Sequence, residues 1–238
     1  MEILKGKTIL LTGATGSIGA ALAVLLEGSG AQLFLTGRNA DKLHALAESL
    51  KIGRDACYAG DLSDPAAVQQ LKENFFMLHD HIDILINAAG IGIIKPVETL
   101  SPAEFMKTLT VNLFAPFLLV QAFLPAMKSV KKGLIINMPG ILGKVPMAGA
   151  AAYSASKYGL TGMMQSVREE IKRTDIRITN LFLGGVDSAF WDTIDLRVQR
   201  EKMIRAEEAA KAIWFLCQQP ASGVVSEMVL QPFNHQAI

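Results

Sequence analysis

Short apolar runs alternate along the chain with longer stretches whose apolar residues recur every three or four positions. Residues 8–12 read as a strand that ends in a glycine turn. Residues 17–28 then carry Ile18, Leu22, Leu25 and Leu26 at the spacing of one helical face. A second strand over 32–36 closes at Gly37, and a helix over 41–50 brings Leu43, Leu46 and Leu50 into register. A weaker strand at 56–59 leads to Ser63-Asp64-Pro65, a helix start with proline in its first turn. Residues 82–87 are almost continuously apolar, as in a strand buried on both faces of a parallel sheet. Further strands are expected at 134–137, 177–183 and 224–230, and helices at 102–127, 150–173 and 206–218.

Alternating β and α elements imply a parallel sheet with right-handed crossovers. The expected fold is α/β: a single-domain Rossmann-type, doubly wound sheet of about seven strands with helices on both faces, spanning residues 1–238. Such folds bind ligands beyond the carboxyl ends of their strands. The residues that follow each strand are therefore the ones to inspect.

After the first strand comes Thr12-Gly13-Ala14-Thr15-Gly16-Ser17-Ile18-Gly19. Glycines there let the backbone approach a pyrophosphate, which meets the N–H groups of the helix start. A tight turn alone would also use them. After the second strand stands Arg38, where an NAD site usually places an acid on the ribose hydroxyl. The first acid is Asp41, so a guanidinium able to pair with a 2′-phosphate points to NADP. Asp61 and Leu62 follow the third strand, and Asn87-Ala88-Ala89-Gly90 the fourth. Each could simply close a turn.

Tyr153 and Lys157 lie four apart, on one face of the helix expected at 150–173. Lowering a phenol from about 10 to about 7 needs roughly 4 kcal/mol. One ammonium about 4 Å away supplies about that much at an effective dielectric of about 20. On the pair alone, a core tyrosine beside a solvated lysine is the commoner arrangement.

Taken together, Thr12–Gly19, Asp61, Asn87–Gly90, Asn112 and Tyr153–Lys157 resemble the short-chain dehydrogenase/reductase family in order and separation, from Lys7 to about Pro232. The resemblance implies Tyr153 as general acid/base. It implies Lys157 as the residue that holds the nicotinamide ribose and lowers the tyrosine pKa, and Asn112 as the carrier of a proton-relay water. It places Gly13, Thr15, Gly16, Ser17, Ile18 and Gly19 on the pyrophosphate and Arg38, Asp61 and Leu62 at the adenosine end. Asn87, Ala88 and Gly90 would line the ribose, and Val186 and Ser188 the carboxamide. Residues 188–203 resemble the family's mobile substrate loop, with Phe190 and Trp191 either covering an apolar substrate or packing the loop down.

Three positions depart from the family's pattern. The middle glycine of the first loop is Gly16, where the short branch has it at position 17. The catalytic serine, about thirteen residues before the tyrosine, is replaced by Gly140, and residues 130–152 contain no Ser or Thr. Losing one such donor typically costs about a hundred- to a thousandfold in rate. The family's Pro-Gly turn reads Leu183-Gly184-Gly185 here.

Composition narrows the partners. Half of the residues are hydrophobic, a surplus that suggests a subunit interface and hence a homodimer or homotetramer. With 23 basic and 22 acidic side chains, nothing points to nucleic acid or an anionic membrane. Pro116 breaks the apolar run at 113–120, and no stretch reads as about 18 apolar residues long enough for a span. Cys57 and Cys217 read as buried fillers in a reducing compartment. His79 and His81 lack companions for a metal. No signal-like run opens the chain, so cytoplasm is the expected address. The expected activity is hydride transfer between NADP(H) and a small, fairly apolar carbonyl or alcohol. The alternative is an NADP-binding regulatory or scaffolding protein with weak or no catalysis. A sugar-nucleotide epimerase or dehydratase, suggested by Gly16, is disfavoured by length.

Overall fold

The computed structural model describes residues 4–220 and 222–234. Seven strands form one parallel sheet: β1 (Thr8–Thr12), β2 (Gln32–Gly37), β3 (Cys57–Ala59), β4 (Ile84–Asn87), β5 (Lys132–Asn137), β6 (Asp175–Leu183) and β9 (Glu227–Leu230), in the order β3-β2-β1-β4-β5-β6-β9. The order runs outward one way from β1 and the other way from β4, so the switch point lies between those two strands. Two short strands, β7 (Val186–Asp187) and β8 (Ile204–Arg205), pair in parallel outside the sheet. They have no periodicity to betray them in the sequence.

The central strands are apolar throughout because both faces are covered. Ile9 and Leu11 join Leu22, Leu26, Leu35, Ile86 and Ile213 beneath α1 (Ser17–Glu27) and α7 (Ala206–Leu216). Leu10 points to the opposite face, where Phe34, Leu85, Phe123 and Leu160 meet α3 (Pro65–Leu78) and the long helices described below. Phe75 is fully buried there, with ring centroids 5.5 Å from both Phe34 and Phe123. Truncating such a ring typically costs about 3–5 kcal/mol. Asp64 caps α3 by accepting from Ala66 N at 2.9 Å, with Pro65 in the first turn.

The single helix expected at 102–127 is divided. Ser101 and Glu104 form a capping box at the start of α4 (Pro102–Leu109). A widened π turn at Thr110–Phe114 then leads into α5 (Ala115–Val130). Inside this turn Asn112 is buried and fully engaged, which offsets the poorer helix geometry. The run from Pro102 to Val130 is long and apolar enough, by length and composition, to cross a membrane, contrary to the reading of residues 113–120. Leu118, Leu119, Phe123 and Met127 are buried against the sheet side, as in the core helix of a folded domain. α6 (Ala151–Ile171) packs beside it, and α2 (Ala40–Ser49) completes the first half of the fold.

Candidate active site

At the carboxyl ends of the strands a polar row crosses the sheet. Thr12 is in register with Asn87, Asn87 with Asn137, and Asn137 with Asn180. Asn87 Nδ2 donates to Asn137 Oδ1 at 2.8 Å. Thr12 Oγ1 accepts from Ala88 N at 3.1 Å and Ala89 N at 3.2 Å, which ties the turn after β4 to the end of β1.

The glycine loop lies against this turn. Gly13 has φ +66°, and a Cβ there would come within 2.8 Å of Ala89 N. A Cβ at Gly19 would stand 2.2 Å from Gly13 O, so the loop closes only because neither residue has a side chain. Gly16 is the N-cap of α1 at φ −77°, an ordinary conformation, and no side chain caps the helix. Ser17 opens the first turn without strain, so the shifted glycine leaves the loop intact. The fit to a dinucleotide pyrophosphate is good: a tightly closed glycine turn leads into a helix start that no side chain caps. Asn87 adds a buried Oδ1 that accepts no hydrogen bond.

Arg38 is exposed directly after β2. Its charge helps hold Asp61 below the usual carboxylate range, although the larger cause is Ser63, whose hydroxyl and N–H donate to Asp61 Oδ1 at 2.7 and 3.0 Å. Leu62 is buried beside it. The adenosine-end candidates are thus close together.

At the other end, Lys157 is buried, and its Nζ donates to Met138 O at 2.9 Å. The same Nζ lies 3.6 Å from where a Cβ of Gly90 would be, and 5.4 Å from the Tyr153 ring centroid. Burial pulls the ammonium down to about 8 and pushes the Tyr153 phenol up to about 12. The expected lowering of the phenol by Lys157 is therefore not what these surroundings give: desolvation by burial is the cause of the rise. Asn112 Oδ1 accepts from Ile91 N at 2.9 Å, while its Nδ2 donates to Ile91 O at 2.9 Å and Ser156 Oγ at 3.1 Å. Its amide clips the Gly90-Ile91 turn to α6.

Gly140 has φ +68° and ψ 172°, and it donates from its N–H to Leu181 O at 3.3 Å. Val186 and Ser188 sit at the neck of the loop over 188–203, and Phe190 packs on Tyr153 with ring centroids 5.7 Å apart. Cys57 is only half-buried, not the buried filler expected, whereas Cys217 is buried. Burial raises their thiols to about 11 and about 12. One neighbour of the site escaped the sequence reading: Ser156, which accepts from Asn112 and is visible only through that contact.

A fold and site of this kind define a nicotinamide-dependent oxidoreductase of the Rossmann type. The profile of the short chain dehydrogenase family matches residues 7–198, and the chain belongs to that family. It is 30% identical over 243 residues to an uncharacterized oxidoreductase of Staphylococcus saprophyticus, covering 98% of each chain. It is 28% identical over 232 residues to one of Staphylococcus epidermidis, covering 98% of this chain and all of that one. Among solved structures, a metagenomic short-chain oxidoreductase in complex with NADP superposes with a TM-score of 0.83 at 33% identity, covering 97% of this chain and 98% of that one. An alcohol dehydrogenase of Thermococcus sibiricus shares the fold, with a TM-score of 0.86 at 24% identity over 98% and 100% of the two chains.

Proposed function

We propose that this chain reduces a small, fairly apolar carbonyl compound with NADPH, Tyr153 acting as the proton donor. The observation that carries the reading is the convergence of Tyr153, Lys157 and Gly90 beside the glycine loop, at the switch point of the sheet. The dinucleotide, when bound, supplies the hydride. Gly13, Thr15, Gly16, Ser17, Ile18 and Gly19 would hold its phosphates. Asp61 and Leu62 would border its adenine, Asn87, Ala88 and Gly90 its ribose, and Val186 and Ser188 its carboxamide. Arg38, exposed after β2 and without an acid before Asp41, supports NADP over NAD, as does the NADP complex of the relative at 33% identity.

The phenol pushed up to about 12 stays protonated at neutral pH and enters the reaction as an acid. As the proton leaves Tyr153 Oη for the carbonyl oxygen, the nearby Lys157 ammonium offsets the phenolate charge. Asn112 keeps the Gly90 turn and α6 together while this happens. Without a hydroxyl at Gly140, turnover falls by about a hundred- to a thousandfold relative to a site with that donor. The test is NADPH consumption across a panel of carbonyl compounds. Consumption with at least one apolar ketone or aldehyde supports the reading, and none with any compound refutes it.

The missing hydroxyl, with Gly140 at φ +68°, favours one second reading: an NADP-binding regulatory or scaffolding protein without turnover. It predicts NADPH binding that Tyr153→Phe leaves untouched and no consumption by any carbonyl.

A homodimer or homotetramer is the assembly we favour. Met106, Leu113, Phe114, Phe117 and Met163 line an open apolar groove of about 600 Å³ across α4, α5 and α6. Phe114 and Phe117 stack at 5.9 Å with exposed rings, a surface suited to a second copy of the chain.

A further inference from the structure

Residues 188–203 leave the body of the fold between β7 and β8, whose pairing joins Val186 to Ile204 and Asp187 to Arg205. The loop is closed at its neck, and side-chain contacts reaching back to β7 fix what lies beyond. Arg200 Nε donates to Asp187 Oδ1 at 2.6 Å, Nη1 to Asp192 Oδ1 at 2.7 Å and Nη2 to Ser188 O at 2.8 Å. Exposed ion pairs are individually weak. Here one rigid guanidinium fork satisfies three acceptors at once, so a single ordered side chain makes three ties, joining Ser188 and Asp192 of the loop to Asp187 of β7. Trp191 adds a fourth, donating from Nε1 to Val186 O at 2.9 Å.

The residue enclosed by these ties is Phe190. Its ring meets Tyr153 edge-on at 63° and packs against Trp191 at 5.1 Å. The far end of the ring fills the hollow at Gly92, where a Cβ would stand 2.2 Å from Phe190 Cζ. Gly92 belongs to the turn after β4 that Asn112 clips in place. Phe190 is thus seated from the loop side by Arg200 and from the sheet side by the absent side chain of Gly92.

We propose that Arg200 is a positioning residue that seats Phe190 on Tyr153 and in the Gly92 hollow, making Phe190 the wall that selects the apolar side of the carbonyl substrate. This rests on the carbonyl-reductase reading of the same site. Arg200 touches neither substrate nor cofactor in this account; it acts through Phe190. Replacing Arg200 frees the loop, and the apolar wall is then formed only part of the time.

The clamp is tested first without turnover, in a Trp214→Phe background that leaves Trp191 as the reporter. Arg200→Ala shifts Trp191 emission to the red and speeds tryptic cleavage after Arg197 about tenfold, and Arg200→Lys gives intermediate values. Parent-like emission and cleavage in Arg200→Ala overturn the proposal. With an apolar ketone, Arg200→Ala raises KM about tenfold while kcat changes less than threefold, and its KM advantage over a hydroxylated analogue shrinks. The effect disappears when Arg200→Ala is made in a Phe190→Ala background, because the two substitutions remove the same interaction. Persistence of the full KM effect without Phe190 refutes action through that ring. If the parent consumes no NADPH with any carbonyl, the reductase reading and the selection of substrate by Phe190 fail together, while emission and proteolysis still decide the clamp.

Discussion

A Cβ at Gly140 would stand 4.0 Å from the Tyr153 hydroxyl, so the two residues are neighbours in space across thirteen positions of sequence. A serine there would be placed to share a substrate oxygen with the tyrosine. The backbone forbids it at ease: φ +68° with ψ 172° is a region occupied essentially by glycine, and other residues held there store about 1–3 kcal/mol of strain. Gly140→Ser accordingly lowers Tm by several degrees, at about 2–4 °C per kcal/mol for a chain of this size. It does not restore the hundred- to thousandfold in rate that a serine donor brings elsewhere. Thermal unfolding and NADPH consumption check both halves. A hundredfold faster variant with an unchanged Tm would show that the loop relaxes to accept the side chain.

Much of this arrangement was legible in the sequence, and what was missed has physical reasons. The parallel sheet could be read from the almost continuous apolar run at 82–87 and from the apolar stripe of α1, because burial on both faces leaves a run and burial on one leaves a period. The π turn at Thr110–Phe114 leaves none, since its residues fit a helical pattern and only the buried Asn112 gives it a reason. β7 and β8 have two residues each, too few for any periodicity. The glycine loop could be read from its place between the first strand and the first helix, whereas the Tyr153–Lys157 pair took its role from the family resemblance. The seating of Phe190 on Tyr153 and Gly92 depends on contacts between distant segments, as does the φ of Gly140.

Lys157 carries a stability signature. Burial pulls it to about 8 in the folded chain, against about 10.4 when unfolded. Between those values the unfolded chain binds a proton that the folded chain does not, so stability rises with pH across about 8 to 10.4 and is lowest below 8. Lys157→Met removes the buried charge and loses the bond to Met138 O, for a net gain of about 1–2 kcal/mol at pH 7. The gain shrinks as pH rises towards 10. Turnover falls by about a hundredfold or more. Denaturant unfolding at pH 7 and pH 9.5 checks the sign; a variant less stable at pH 7 would contradict it.

In the proposed reading Arg38 is the residue that separates the two nicotinamide cofactors. Removing a charge-assisted contact to a 2′-phosphate costs about 1.5–3 kcal/mol, or roughly ten- to a hundredfold in affinity. Arg38→Ala weakens NADPH binding by that factor and leaves NADH within about twofold. Titration calorimetry with each dinucleotide measures it, and equal affinities in the unmodified protein would remove the basis for the assignment.

The apolar groove over α4, α5 and α6 predicts assembly. Sedimentation of the parent at micromolar concentration gives a species at a multiple of 25.7 kDa. Phe117→Glu, which sets a charge beside Phe114, shifts it to the monomer with Tm little changed, because Phe117 is exposed in the single chain. A parent that sediments only as monomer would contradict the proposal.

The central claim is that Tyr153 delivers the proton during carbonyl reduction. The most direct measurement is a single-turnover comparison of the parent and Tyr153→Phe, each saturated with NADPH, mixed with the best apolar carbonyl found in the panel. Removing the hydroxyl leaves the ring against Phe190 and the fold unchanged, so NADPH affinity stays within about twofold while the hydride-transfer step slows by about a hundred- to ten-thousandfold. A Tyr153→Phe protein that oxidises NADPH at the parent's rate would contradict the account.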